Sequence, residues 1–508
     1  MPADPAADPA AYTALESRFR RLNALREAAG VLHWDMSTLM PLGGAEARTE
    51  QLAALQVTCH ELLTGAETAE HFAAAETEAR VPGALDPWRR ANLREMRREW
   101  RHATALEADL VEALAKATMR CEMIWREARP AADFATVRPA LQQVLDLTRR
   151  AAEAKGEALG LAPYDALLDA YQPGVSGARV AEVFADYAAF LPDFLEAVRT
   201  RQAARPAPLR PEGPFSAAAQ EALGRRLMEV VGFDFGHGRL DVSIHPFCGG
   251  VPDDVRITTR YDEADFASAL MAVLHETGHA MYERGLPADW RLQPVGQARG
   301  MAVHESQSLL VEMQACRSAA FIGFLAPLAA EAFGGAGPNW GPDNLLALAT
   351  RVEPGFVRVD ADEVTYPAHV ILRTRLEQAL LAGDLALAEL PGAWNGGMKA
   401  LLGIVPPDDR LGCLQDIHWY DGAWGYFPTY TLGAMTAAQL YAAALAAVPE
   451  IPDALGRGDF APLMAWLRAQ VHAKGSLLSA EALVQEATGK PLDPEVFKEH
   501  LRARYLGE

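Results

Sequence analysis

The sequence predicts a mainly α-helical fold with one small antiparallel β-sheet, and three observations carry that reading. From Tyr12 to about Arg201, alanine, leucine, arginine and glutamate dominate and helix breakers are sparse outside Pro82-Gly83 and Pro163. Such composition favours successive long helices. Strand-like alternation is clear in one region only: Leu240, Val242 and Ile244, then Val255, Ile257 and Thr259, the period of two that a strand requires. Immediately downstream the period changes. Phe266, Leu270, Val273, Leu274, Thr277 and Met281 recur at three- and four-residue steps, the buried stripe of a helix.

In chain order, residues 1–11 read as a short acidic tail with proline and no basic region followed by an apolar stretch, unlike a signal peptide. Residues 12–204 form a first helical block. Residues 205–214, with four prolines and a glycine, cannot be helical. They lead into a second block, 215–508, without marking a separate domain. Residues 245–254, with two glycines and two prolines, separate the strand-like segments and fit the connection of a hairpin. The helix that follows is expected to start at an Asp262 N-cap and to end with Gly285 in the left-handed C-terminal position. A second helix is expected from Gly300 to Leu310, a surface loop from Gly334 to Pro338, and helix again to the C-terminus. No repeat of fixed period is present.

Within the first of these helices lies Leu274-His275-Glu276-Thr277-Gly278-His279-Ala280, a complete His-Glu-x-x-His motif. Residues four apart on a helix share a face, so His275 and His279 can hold one zinc ion together. Glu276 projects beside them, where it can take a proton from an attacking water. The competing reading is a pair of core histidines bound to nearby carboxylates, which leaves the intervening glutamate without a purpose. Zinc hydrolases commonly add one carboxylate and leave the fourth position open. Glu305 supplies it, with Pro287 and Pro294 in the loop between. His304 is the rival, but helical neighbours point about 100° apart and rarely reach one ion together. Glu305 is therefore the third ligand, His304 a supporting or substrate-side group, and Glu283 the weaker alternative. A non-catalytic zinc scaffold would need no base and would close its fourth position.

Half of the 508 residues are hydrophobic and 22% are charged, enough for a substantial core. The net charge of −20 argues against nucleic acid or an anionic membrane as the main partner. Five cysteines (Cys59, Cys121, Cys248, Cys316, Cys413) are scattered without metal-type spacing. They point to a reducing compartment, the cytoplasm by default. No run of about twenty apolar residues exists to span a membrane.

Further segments carry a resemblance. His245-Pro246-Phe247, Asp254-Val255-Arg256-Ile257-Thr258, His304-Glu305-Ser306-Gln307, Arg358-Val359-Asp360-Ala361-Asp362 and Gly412-Cys413-Leu414-Gln415-Asp416-Ile417-His418-Trp419 accompany the histidine motif in order. With Trp34-Asp35, Met40-Pro41 and the stretch from Phe497 to Tyr505, the chain resembles the thermostable (Taq-type) zinc carboxypeptidase family along nearly its whole length. Val357 stands where that family often has isoleucine, a change without chemical consequence. The resemblance implies a neurolysin-like helical fold with a deep groove, a divalent metal (zinc, with cobalt possible) and usually a homodimer. It also implies release of single C-terminal residues from peptides, with broad specificity and reluctance toward proline.

That activity needs further groups. Glu276 would accept the proton of the attacking water and deliver it to the leaving amine. A bidentate arginine suits the substrate's terminal carboxylate. Arg256 and Arg358 are the candidates and Arg373 a weaker third, each of which could instead pair with a nearby aspartate. Donors for the tetrahedral oxyanion are expected from the glycine-containing segment 415–430. His418 and Tyr426 are chosen there by resemblance to related helical metallopeptidases with a Gly-Tyr loop. Gln415 is assigned to substrate binding and His245 to shaping the groove. An endopeptidase or oligopeptidase on the same zinc scaffold is the alternative, and a blocked peptide C-terminus separates the two.

Overall fold

The computed structural model describes residues 9–243 and 246–508. The first helix, Ala10–Thr38, begins two residues before the expected start. Pro9 offers no side-chain cap, and the free amides of Ala11 and Tyr12 are taken instead by the Glu78 carboxylate at 3.0 and 3.1 Å. Helices Ala45–Thr64, Ala66–Ala79, Pro87–Thr104, Ala108–Ala128, Phe134–Leu159, Pro163–Leu168 and Gly177–Ala203 complete the first block. The segment after it is irregular as expected, and helix resumes at Ala217. No single helix among the described residues is long and apolar enough to cross a membrane.

The small sheet is present, but its pairing differs from the expected hairpin. Strands β1 (Gly238–Val242) and β3 (Asp254–Thr259) run parallel, with Leu240 opposite Ile257. The antiparallel partner of β3 is β2 (Phe247–Val251), which lies at one edge. Sequence alternation located Leu240 and Val242 on β1 and Val255, Ile257 and Thr259 on β3, while Ile244 lies outside the described residues. Phe-Cys-Gly-Gly-Val has no alternation to read, because its pairing is made by backbone groups that every residue carries. The tight connection Pro252-Asp253 then turns β2 directly into β3.

Two large cores organise the chain. One joins the blocks, combining Val137, Leu141 and Phe184 with Trp394, Trp424 and Phe497. The other lies beneath the sheet and the motif helix, with Ile257, Leu274, Leu310 and Phe321. The first block also fixes the start of the helix Gly300–Leu309. Met301 N–H donates to the Tyr171 carbonyl and Ala302 N–H to Gln172 Oε1, both at 2.8 Å. Just before it, Arg299 meets Glu95 at 2.8 Å, and each side chain is only 5% exposed. A pair so enclosed is costly to break from one side, so these contacts hold the helix that carries Glu305.

Candidate metal and catalytic centre

The motif helix, Phe266–Gly285, buries its predicted stripe. Its cap is Asp265, which accepts from Ala267 N and Ser268 N at 3.0 and 3.3 Å. Asp262 instead accepts from Ala264 N in the preceding turn. Gly285 is the last helical residue and not a left-handed terminus. Its lack of a side chain admits His472, whose Nδ1 would lie 2.5 Å from a β-carbon there.

His275 and His279 share one helix face, and Glu305 meets them from the neighbouring helix. Glu305 Oε2 lies 3.8 Å from His275 Nε2 and 3.4 Å from His279 Nε2. All three ligand atoms fall within 4.8 Å of one another. This closeness depends on Gly278, where a β-carbon would sit 2.5 Å from the Gln307 carbonyl oxygen. The two ligand-bearing helices therefore cross in backbone contact. Gly278→Ala is expected to cost about 1–3 kcal/mol through overpacking and to weaken metal binding by spreading the ligands. Thermal melting and chelator competition measure both, and unchanged metal affinity would contradict this account of the crossing.

The outer nitrogens of the two histidines are also occupied. His275 Nδ1 lies 3.0 Å from Glu312 Oε2, and Arg317 holds the other oxygen of Glu312 at 2.6 Å. Glu312 sits on the π-helical turn Leu310–Cys316 that continues the Glu305 helix. A π-turn widens the coil and re-aims side chains, a device frequent at functional sites. His279 Nδ1 lies 2.6 Å from His304 Nδ1, and His304 Nε2 lies 2.8 Å from Glu283. His304 and Glu283 thus stand behind the histidine pair. With their Nδ1 atoms engaged, both ligand rings present Nε2 to Glu305. Glu312→Gln is expected to lower metal affinity about 10- to 100-fold, as read by chelator competition with the melting curve as control.

Electrostatics favour a cation here. Burial raises the Glu276 acid to about 7. It also pushes His279 down to about 4, with the neighbouring His304 adding to the effect. Burial opposes the charge on Glu305 as well, but His275 and His279 pull its carboxyl down to about 2. On His275 the desolvation is outweighed by Glu305 and Glu312, which raise it to about 10. Three buried glutamates thus surround two histidines. Two imidazole Nε2 atoms and one carboxylate oxygen form a donor set that fits a divalent ion such as zinc.

Tyrosines that feel the Glu305 charge link it to a pair of buried arginines. Arg358 is buried, with Nε and Nη2 each 2.9 Å from Asp416 Oδ1 and its guanidinium 4.6 Å from the centre of the Tyr430 ring. Arg373, fully enclosed, holds the other oxygen of Asp416 at 2.6 Å. Two guanidiniums therefore share one carboxylate. Burial and the Arg358 charge hold His418 down to about 3, and burial with Arg373 does the same to His369. The Tyr366 and Tyr430 phenols lie beside Arg358, and both also feel the Glu305 charge. Tyr426 packs edge-on against Tyr430 at 5.2 Å and against Tyr171 at 5.0 Å, and burial, with Tyr430 and Glu305, drives its phenol far up.

The structure thus gathers His275, Glu276, His279, Glu305, Arg358 and Tyr426 in one neighbourhood. His418 stands one step back, its Nε2 2.9 Å from the Tyr430 hydroxyl. The Gln415 amide is engaged by the backbone, accepting from Arg358 N and donating to the carbonyls of Phe356, Leu411 and Gly412. Its work is to hold the turn that bears Arg358. Arg256 chelates Asp254 and stacks over Trp34 at 4.4 Å, on the sheet. His245 lies outside the described residues. Sequence reasoning missed Glu312, Tyr366, Tyr430 and the role of Asp416. Glu312 had a faint signal, seven residues beyond Glu305 and so about two helical turns along the same face.

A helical shell, a His-Glu-x-x-His helix and a glutamate from the next helix define a metallopeptidase scaffold. Comparison with known proteins narrows this. The family model described as "Carboxypeptidase Taq (M32) metallopeptidase" matches residues 14–505. "Thermostable carboxypeptidase 1" of Thermus thermophilus is 37% identical over 496 residues, covering 96% of this chain and 97% of that protein. Among solved structures, Trypanosoma cruzi metallocarboxypeptidase 1 aligns with a TM-score of 0.95 at 41% identity, over 97% of this chain and 99% of that one. The M32 carboxypeptidase from Deinococcus radiodurans R1 aligns with a TM-score of 0.91 at 34% identity, over 98% and 99%. The chain belongs to the carboxypeptidase Taq (M32) family of metallopeptidases and is a metallocarboxypeptidase, a hydrolase acting on peptides.

Proposed function

We propose that this metallocarboxypeptidase releases single C-terminal residues from peptides, with broad specificity and poor action at proline. One observation carries the exopeptidase reading: the buried Arg358, set beside tyrosines that also feel the Glu305 charge, has its own charge only half balanced because Arg373 shares Asp416. A surplus buried cation seeks an anion, and a planar guanidinium suits a terminal carboxylate. Arg256, already chelated by Asp254, is the lesser candidate.

His275, His279 and Glu305 would hold the metal, zinc by donor type with cobalt able to substitute. When bound, that ion supplies Lewis acidity, making water nucleophilic at neutral pH and polarising the scissile carbonyl. Glu276 accepts the proton of the attacking water and returns it to the leaving amine. Tyr426 and Tyr430, kept as phenols by burial, donate to the oxygen on which charge develops, and His418 orients Tyr430. β2 is an edge strand packed against the motif helix, with Cys248 near Glu276. A homodimer follows from the family resemblance.

Hydrolysis of an N-blocked peptide and its C-terminally amidated twin, followed by mass spectrometry with and without chelator, tests the proposal. Stepwise shortening of the free acid alone, abolished by chelator, is expected. Internal cleavage, or equal cutting of the amide, would move the assignment to an endopeptidase.

A further inference from the structure

The helix Tyr366–Ala382 carries a buried acid that the steps above leave unused. Glu377 is 0% exposed, and burial is the leading influence on its carboxyl, with no cation contributing. Its oxygens accept three hydrogen bonds. Tyr164 Oη and Gly425 N donate to Oε1, both at 3.0 Å, and Trp419 Nε1 donates to Oε2 at 2.9 Å. Tyr164 belongs to the short helix Pro163–Leu168 of the first block. Trp419 and Gly425 belong to the irregular segment 403–427.

One turn earlier on the same helix, Arg373 grips Asp416. A single helix therefore pins this segment at Asp416, Trp419 and Gly425, and the residue after the last pin is Tyr426. A buried carboxyl group is a poor space-filler, since leucine or methionine would fill the volume without desolvating polar atoms. What a carboxylate offers is acceptor capacity for three donors from separate segments. We propose that Glu377 is a positioning residue that fixes the Gly425-Tyr426 turn against the metal centre and so sets turnover through Tyr426. This rests on the reading of Tyr426 as a donor to the reacting carbonyl. Glutamine at 377 keeps the volume but directs an amide N–H₂ at one of the three donors, leaving that donor without an acceptor.

The test is a double-mutant cycle: kcat and KM on an N-blocked dipeptide for wild type, E377Q, Y426F and the double variant, with metal content and melting temperature recorded. E377Q is expected to lower kcat about tenfold or more with KM within about threefold and metal unchanged. In the Y426F background the same change should cost no more than about twofold, because the turn no longer carries the group it places. Wild-type turnover in E377Q beside an impaired Y426F overturns this inference and leaves the Tyr426 reading standing. Wild-type turnover in Y426F overturns the Tyr426 reading, and the inference with it. An undiminished E377Q loss in the Y426F background assigns Glu377 to general stability and also overturns it. Should E377Q fail to fold, Trp419→Phe removes the donor to Oε2 while keeping both hydrogen bonds to Oε1, and the same kcat loss without a KM change is expected, again suppressed by Y426F.

Discussion

Glu276→Gln is expected to lower kcat by roughly 10²- to 10⁴-fold while one metal ion per chain stays bound. The two halves of this result have separate physical origins. Glu276 lies between the ligand histidines in sequence and is only 7% exposed, yet the close three-ligand group consists of His275, His279 and Glu305. Glutamine preserves the volume and can still hydrogen-bond, so the helix and the ligand spacing persist. It cannot accept a proton from water, and no neighbouring side chain replaces that function. Histidines 279 and 304 are already bonded to each other, and Glu312 is held by Arg317. Steady-state kinetics with metal analysis checks the prediction. Substantial activity in the variant would remove Glu276 as the base, whereas lost metal would make it part of the ligand set.

Arg358→Met should have the next largest effect, on recognition more than on the fold. The change leaves Asp416 with Arg373 as a neutral pair, so no buried carboxylate is stranded. It removes the surplus charge that a terminal carboxylate would answer. Truncating one partner of a buried charge pair costs about 2–5 kcal/mol, so kcat/KM for a free-acid dipeptide should fall by tens- to thousands-fold. The preference for free acid over amide should largely disappear. Arg358→Lys keeps the charge but not the fork, and should recover part of the loss. If Arg358→Met retains the preference, another cation reads the carboxylate, and Arg256 becomes the group to change.

The parts of this centre legible in sequence are those fixed by helix geometry alone. His275 and His279 share a face in any α-helix, whatever surrounds it. Glu305 over His304 followed from the two-histidine, one-carboxylate pattern of zinc hydrolases, with the angle between helical neighbours arguing against both reaching the ion, and the structure places His304 behind His279. What escaped depended on packing between segments distant in sequence. Gly278 reads as a mild helix breaker until the Gln307 backbone is seen against it. Glu312 had only its seven-residue spacing from Glu305 as a signal, and it reaches His275 from a π-turn. Arg256 and Arg358 both sit near aspartates in sequence, but only Arg358 shares its aspartate with a second arginine and lies beside tyrosines that feel the Glu305 charge. The β2 pairing was invisible because two of its five residues are glycines. Helix identity survives without tertiary knowledge, whereas the partners of a buried charge do not.

The central claim is that His275, His279 and Glu305 hold one catalytic divalent ion. The most direct test is anomalous diffraction at the zinc edge from crystals of the zinc-loaded protein. The account predicts one strong peak per chain, about 2.0–2.2 Å from His275 Nε2, His279 Nε2 and a Glu305 oxygen, with no protein atom in the fourth position. A peak ligated by His304 or Glu283, or a site closed by a fourth side chain, would contradict it.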